Sequence, residues 1–250
     1  MLGWIVRGLA GGRVTTRYPF AAGDSRVSGV PEVDRDACAG PGSCRLCLEV
    51  CPTAAVGLNG AAVPEVDARR CILCARCVEA CPRGAVRPVP RVESALLRGP
   101  VPGLFRRSLF VRHVDAGSCN ACESELAALT NPFYDVSRLG VFFVTSPRHA
   151  DLLVVTGPVT VNMAGALKRT YAAMPGPKLV MAVGACACGG GLVGKGYATH
   201  GGVDRVLPVD LYVPGCPPPP LTLIDALVRA AGRAGRAETQ KEVTGLAGRA

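Results

Sequence analysis

The stretch CRLCLEVCPTAAV at residues 44–56 returns as CARCVEACPRGAV at residues 74–86, a constant offset of 30 positions. Cys44, Cys47, Cys51 and Pro52 recur as Cys74, Cys77, Cys81 and Pro82. The repeated positions are the ones that carry metal-binding chemistry, so this is a duplicated ligand set. In the second copy Cys71 completes the run Cys71-x2-Cys74-x2-Cys77-x3-Cys81-Pro82. Three thiolates within a few residues wrap one face of a metal cluster, whereas the fourth, beyond a short helix, points away from them. The proline after it keeps the turn from continuing and removes an amide hydrogen.

That run is the bacterial ferredoxin pattern for a [4Fe-4S] cluster, in which the fourth cysteine serves the other cluster of a pair. The expected ligand sets are therefore crossed: Cys38, Cys44, Cys47 and Cys81 for one cluster, and Cys71, Cys74, Cys77 and Cys51 for the other. A structural zinc site or a disulfide scaffold does not usually show a doubled three-plus-one pattern ending in Cys-Pro. The first copy departs from the second. It reads CAGPGSC, with five residues between Cys38 and Cys44, and Pro41 stands where the repeat predicts cysteine. An outward bulge of the Gly-Pro-Gly insert returns Cys38 to its cluster; the alternative is a three-cysteine site holding a [3Fe-4S] or labile cluster.

The bulk composition sets the frame. The chain has 250 residues, 49% of them hydrophobic and 19% charged, which is room for two modest domains. Thirteen cysteines is an odd number, so complete internal disulfide pairing is impossible, and the clustered spacing points to metal ligation in a reducing compartment. The opening MLGWIVRGLA lacks a long apolar core and a small-residue cleavage site, so no signal peptide is expected and the protein is placed in the cytoplasm. Uncharged apolar stretches at 152–167 and 179–194 are too short and too interrupted to span a bilayer. Trp4, Ile5 and Leu9 form one apolar face that either rests on a membrane or membrane-embedded partner, or belongs to an ordinary terminus. A net charge of +9 spread along the chain, with 5% aromatics, argues against a nucleic-acid partner and suits an acidic protein or anionic lipid.

RVESALLRGPVPGLFRR at 91–107 loses periodicity, which puts a linker at 97–108 between a domain at 1–96 and another at 109–235. Residues 236–250 read as a flexible tail. Apolar runs at 109–114, 139–144, 151–155, 179–183 and 210–213 read as buried strands, and patterns at about 119–130, 162–174 and 219–232 as helices. Their alternation predicts a parallel sheet covered on both faces. The fold expected for the whole is an α+β ferredoxin-like two-cluster domain followed by an α/β flavodoxin-like domain. Functional groups in parallel sheets gather past the carboxyl ends of strands. Cys119 and Cys122 follow the first strand, Cys186 in GACACGGG follows the fourth, and Cys216 in VPGCPPPP follows the fifth. These four are the expected ligands of a third [4Fe-4S] cluster. Glycines 184, 189, 190 and 191 are expected to let backbone amides approach it. Cys188 is surplus, read as a spare buried thiol or, in the lesser reading, as a substitute for Cys186.

The first domain resembles the two-cluster ferredoxin subunits of formate hydrogenlyase and of respiratory complex I, including the leader MLGWIVRGLAGGRVTTRYP, which in that family lies along the membrane arm. The segments VRHVDAGSCNACESEL, NPFYDVSRLGVFFVTSPRHADLLVVTGPVT, PKLVMAVGACACGGG and GGVDRVLPVDLYVPGCPP resemble the small subunit of group 4 [NiFe] hydrogenases and its complex I relative carrying the terminal cluster. Complex I relatives join the first two cysteines directly, whereas Asn120 and Ala121 separate them here, as in hydrogenases. Relatives commonly show an acidic residue where this chain has Ala185. The resemblance implies a fusion of the two subunit types that carries electrons within a membrane-associated, formate hydrogenlyase-like complex, peripheral on the inner face of the cytoplasmic membrane. Its implied partners are a hydrogenase-type large subunit, membrane-arm subunits and a formate dehydrogenase-type or other electron donor or acceptor protein. The catalytic NiFe site is not expected in this chain. Glu125 occupies the place of a family carboxylate with a suggested role in proton movement; locally it reads equally well as a first-turn helix acid. His113, His149 and His200 read as structural. The alternatives are a complex I-like module whose large subunit lacks nickel, and a structural or assembly iron-sulfur protein.

Overall fold

The repeat in the sequence becomes a repeat in the backbone of the computed structural model, which describes residues 3–20, 29–40, 42–60, 63–90, 92, 95–101 and 103–233. Pro41 and the tail 236–250 lie outside the described residues. After an N-terminal helix α1 (Gly3–Gly11) come β1 (Glu32–Val33), α2 (Leu46–Glu49), β2 (Val56–Leu58), β3 (Pro64–Val66), α3 (Arg76–Glu79) and β4 (Val86–Arg87). Leu46 and Arg76 open the two short helices, and Val56 and Val86 open the strands that follow them, each pair 30 residues apart. β1 pairs antiparallel with β4, and β2 with β3. Helices of four residues do not hold by themselves, because nucleation fixes more dihedral freedom than one turn of hydrogen bonds returns. Their support is a small buried cluster of Cys47, Val56, Cys77 and Val86.

The chain then forms β5 (Leu96–Leu97), β6 (Leu109–Asp115), α4 (Ala121–Ala128), β7 (Val141–Phe143), β8 (Leu152–Thr156), α5 (Val161–Ala173), β9 (Leu179–Val183), α6 (Ala185–Gly189), β10 (Leu211–Val213) and α7 (Pro220–Ala230). Six strands make one sheet in the order β5-β10-β9-β8-β6-β7. Five are parallel, as the apolar runs predict; β5 is antiparallel to β10, so the sheet is mostly parallel. A two-residue edge strand carries no periodicity, and nothing in the sequence marks it. The stretch expected to link the units is itself packed: Leu97 lies in β5, and Phe105, in a 3-10 turn at Gly103–Arg106, is 2% exposed within the core.

Both faces of the sheet are covered, since β8 and β9 are buried along their whole length. One side packs Leu109, Val111, Leu152 and Met181 with Leu126 of α4 and Leu223, Ile224 and Leu227 of α7. The other packs Leu153, Val155, Val180 and Tyr212 with Leu167 of α5. Register brings the strand ends level: Asp115 stands beside Thr156, Thr156 beside Val183, and Val183 beside Val213. The two units meet directly. Tyr18 Oη donates to Asp225 Oδ1 at 3.1 Å, and Arg138 donates to the carbonyls of Thr16 and Tyr18 at 2.7 and 2.6 Å.

Candidate metal centres

Two cavities in the first unit are lined by thiols from both repeats. One, of about 300 Å³, is bordered by Cys38, Cys44, Cys47 and Cys81. The other, about 20 Å³, is bordered by Cys51, Cys71, Cys74 and Cys77 among the apolar side chains of Val56, Val66 and Ile72. The last cysteine of each repeat thus faces the other repeat's triplet. Among the described residues no three cysteine, histidine or carboxylate side chains close on a single-ion point; the thiols stand around cavities instead. Soft sulfur donors in sets of four, walled by apolar side chains, fit an iron-sulfur cluster.

The two crossing cysteines accept hydrogen bonds from equivalent backbone groups. Ala55 N–H donates to Cys51 Sγ at 3.2 Å, and Ala85 N–H donates to Cys81 Sγ at 3.3 Å. Burial pushes both thiols up, yet the amides around each, from Val56 and Ala55 in one case and Val86, Arg83 and Ala85 in the other, bring both below the ordinary range. Thr53 Oγ1, 3.7 Å from Cys51 Sγ, adds to the first; Arg83 holds the corresponding position in the second repeat. By contrast burial pushes the Cys71 thiol up to about 11, with the neighbouring thiols adding repulsion. A thiol of that kind keeps its proton in the absence of metal, and metal binding at the sulfur would release that proton to solvent.

The third set lies past the level strand ends. Asp115 Oδ1 accepts from Gly117 N–H and Ser118 N–H at 2.9 and 2.8 Å, folding the turn that delivers Cys119 to the start of α4. The loops bearing Cys186 and Cys216 are tied together by Ala185 N–H donating to the Gly215 carbonyl at 2.8 Å. Cys122, Cys186, Cys119 and Cys216 are close enough to repel one another as thiolates, and burial first, then Glu123, pushes the Cys122 thiol up to about 12. Two glycines make the approach possible. A Cβ at Gly184, φ +86°, would lie 2.5 Å from Cys122 Sγ, and one at Gly191 would lie 2.9 Å from Cys186 Sγ. Cys119 and Cys216 are exposed, so this site opens at the surface.

The other two glycines do something else. A Cβ at Gly189 would lie 2.9 Å from Arg70 Cγ and 3.1 Å from the Arg69 carbonyl, so Gly189 admits the first unit onto α6. A Cβ at Gly190 would lie 2.9 Å from the Gly201 carbonyl. Beside this seam the Arg69 guanidinium sits 5.8 Å from the Tyr212 ring centre, with Arg98 at 6.0 Å. The residues just before Cys71 therefore touch the helix that carries Cys186. Cys188, 1% exposed, shares its S–H between the carbonyls of Ala182 and Val213 at 3.3 and 3.5 Å.

Sequence reasoning passed over Glu123. The nearby Glu125 is half-buried on α4, but Glu123 is the carboxylate drawn into the strand ends: Thr156 Oγ1 donates to its Oε1 and His113 Nε2 lies 3.7 Å from the same oxygen. Its Oε2 is buried and has no hydrogen-bond partner among the described residues. The one available signal was its adjacency to Cys122. Burial, opposed by the Glu123 charge, pulls His113 below its ordinary pKa, and its Nε2 lies 3.0 Å from Thr156 Oγ1. His149 is exposed and His200 half-exposed.

A mostly parallel sheet with cysteines at its carboxyl edge, joined to a duplicated thiol module, defines an iron-sulfur protein of the electron-transfer class. Residues 119–230 match the family described as NADH ubiquinone oxidoreductase, 20 Kd subunit, and residues 38–85 match the 4Fe-4S dicluster domain family. A probable membrane-bound hydrogenase subunit of Pyrococcus furiosus is 48% identical over 124 residues, 50% of this chain and 74% of that protein. Formate hydrogenlyase subunit 7 of Escherichia coli is 42% identical over 148 residues, 58% of each chain. An NADH-quinone oxidoreductase subunit of Desulfovibrio desulfuricans is 48% identical over 108 residues, 43% of this chain and 58% of that one. The chain belongs to the NADH ubiquinone oxidoreductase 20 kDa subunit family and is an oxidoreductase subunit.

Proposed function

We propose that this chain is the electron-transfer subunit of a membrane-associated group 4 [NiFe] hydrogenase complex of the formate hydrogenlyase kind, fusing a ferredoxin-type module with a hydrogenase small-subunit module of flavodoxin-like architecture. The observation that carries the proposal is the gathering of twelve of the thirteen cysteines into three sets of four. Bound there, three [4Fe-4S] clusters supply one-electron chemistry. The chain's own residues do the rest. Cys38, Cys44, Cys47 and Cys81 hold the outer cluster; Cys51, Cys71, Cys74 and Cys77 hold the next; Cys119, Cys122, Cys186 and Cys216 hold the third. The amides of Ala55 and Ala85 stabilise thiolate charge, and Val56, Val66 and Ile72 keep water from the middle site.

The exposed Cys119 and Cys216, with the exposed Leu192, Val193 and Tyr197 on the loop after α6, form the face for the catalytic large subunit. At the far end the cavity of Cys38 meets the electron donor or acceptor protein. No helix among the described residues is long and apolar enough to cross a membrane. The exposed Ile5, Val6 and Leu9 of α1 suit a peripheral contact with membrane-arm subunits on the cytoplasmic side. The ferredoxin-type module is expected over 1–96 and the sheet module over 109–235, with β5 (Leu96–Leu97) lent to the sheet of the second, and Glu125 lies at the large-subunit face. The likeness to the NADH-quinone oxidoreductase subunit of Desulfovibrio desulfuricans favours a second reading, a complex I-type module whose large subunit lacks nickel. Native purification with the complex intact decides between them: nickel stoichiometric with a co-purifying large subunit is the expected result. A nickel-free complex establishes the second reading, and an iron-free chain ends both.

A further inference from the structure

We propose that Glu123 sets the reduction potential of the third centre, its fixed negative charge beside Cys122 making that centre harder to reduce than the local thiol set alone would. The inference rests on the reading that Cys119, Cys122, Cys186 and Cys216 hold a cluster, and it adds a residue outside that ligand set. Glu123 is the residue next to Cys122, in the first turn of α4, and the helix start fixes its direction. Instead of reaching water it turns under the strand ends, where Thr156 Oγ1 donates to Oε1 and His113 Nε2 approaches to 3.7 Å. The side chain is 16% exposed, and Oε2 is buried with no hydrogen-bond partner among the described residues. A carboxylate held this way has few solvent dipoles to screen it, so its field acts on its neighbours at a low effective dielectric.

Reduction adds one electron to the site and makes it one unit more negative, with no bond formed or broken and no proton moved. A neighbouring negative charge opposes that addition, and removing the charge favours it. The position is specific to the third set. Each four-residue helix of the first unit also ends on a glutamate, Glu49 or Glu79, but both are exposed, where water screens them.

The test is a redox titration of the full chain, anaerobically reconstituted and poised with dithionite and mediators, followed by EPR. Glu123→Gln keeps the shape and loses the charge. It is expected to raise the reduction equilibrium constant of the third centre by about tenfold, a positive shift of about 59 mV for a one-electron couple, with the other two centres unmoved. Thr156→Val keeps the charge but removes its hydroxyl donor, and is expected to move the same centre the other way by a smaller amount. Should Glu123→Gln not load iron, Thr156→Val carries the test. A third potential unchanged in the variants, or an equal shift of all three signals, overturns the inference while leaving the three-centre reading standing. A wild-type chain that assembles only two centres overturns both.

Discussion

Residues 29–90 and residues 95–233 each bring thiols together, with opposite supports. In the first unit the buried apolar cluster is Cys47, Val56, Cys77 and Val86, so half of the core consists of ligand candidates. Its helices are four residues long and its strands two or three. In the second unit the thiols hang from the edge of a six-stranded sheet whose faces bury Leu109, Leu152, Leu153, Leu167, Leu223, Ile224 and Leu227 almost completely. Each such side chain contributes about 1.5–3 kcal/mol when removed from water. The first unit is therefore expected to depend on metal to fold, as small metal-binding domains do, and the sheet of the second to fold without it.

The comparison breaks most directly on removal of iron. Stripping the chain with a chelator under oxidant is expected to abolish amide-exchange protection throughout 29–90 while β8 and β9 stay protected; equal loss in both units would refute the distinction. Single ligand losses sharpen it. Cys77→Ser is expected to unfold the first unit, as read by exchange or proteolysis. Cys186→Ser is expected to cost about one third of the iron and leave the thermal transition of the sheet in place.

Gly184→Ala tests the close approach at the sheet edge. Its φ of +86° and ψ of 154° fall in a region that is nearly glycine-only, a cost of about 1–3 kcal/mol, and the added methyl meets Cys122 Sγ. A fall in Tm of about 2–4 °C per kcal/mol, with a weakened third EPR signal, is the expected outcome. The smallest effect belongs to Cys188→Ala. It loses two weak thiol hydrogen bonds, about 1 kcal/mol, and should keep all three signals; loss of the third would mean that Cys188 is a ligand after all.

Much of this was legible beforehand. The offset of 30 residues predicts two equivalent turns, and the backbone repeats from Leu46 to Arg76 and from Val56 to Val86. Long apolar runs mark β6, β8 and β9 to within a residue, because strands buried on both faces leave a continuous hydrophobic signal. The five-residue α6 and the two-residue β5 left no periodicity to read. Gly189 and Gly190 looked like cluster glycines by their neighbours, yet they admit Arg69–Arg70 and the Gly201 carbonyl, partners that only packing brings close.

The sequence by itself determined which cysteines act as local triplets, since x2 spacing confines three sulfurs to the reach of one turn whatever surrounds them. It also determined that the second half would build a sheet, because apolar runs must bury both faces. The crossing of Cys51 and Cys81 and the grouping of Cys119, Cys122, Cys186 and Cys216 were already expected from the repeat and from the strand ends. Tertiary structure alone decided that Asp115, Thr156, Val183 and Val213 end level, that Gly189 seats Arg69 and Arg70 on α6, and that Glu123 rather than Glu125 turns under the strand ends. Strand order and register set those juxtapositions, and both depend on long-range pairing for which spacing along the chain holds no record.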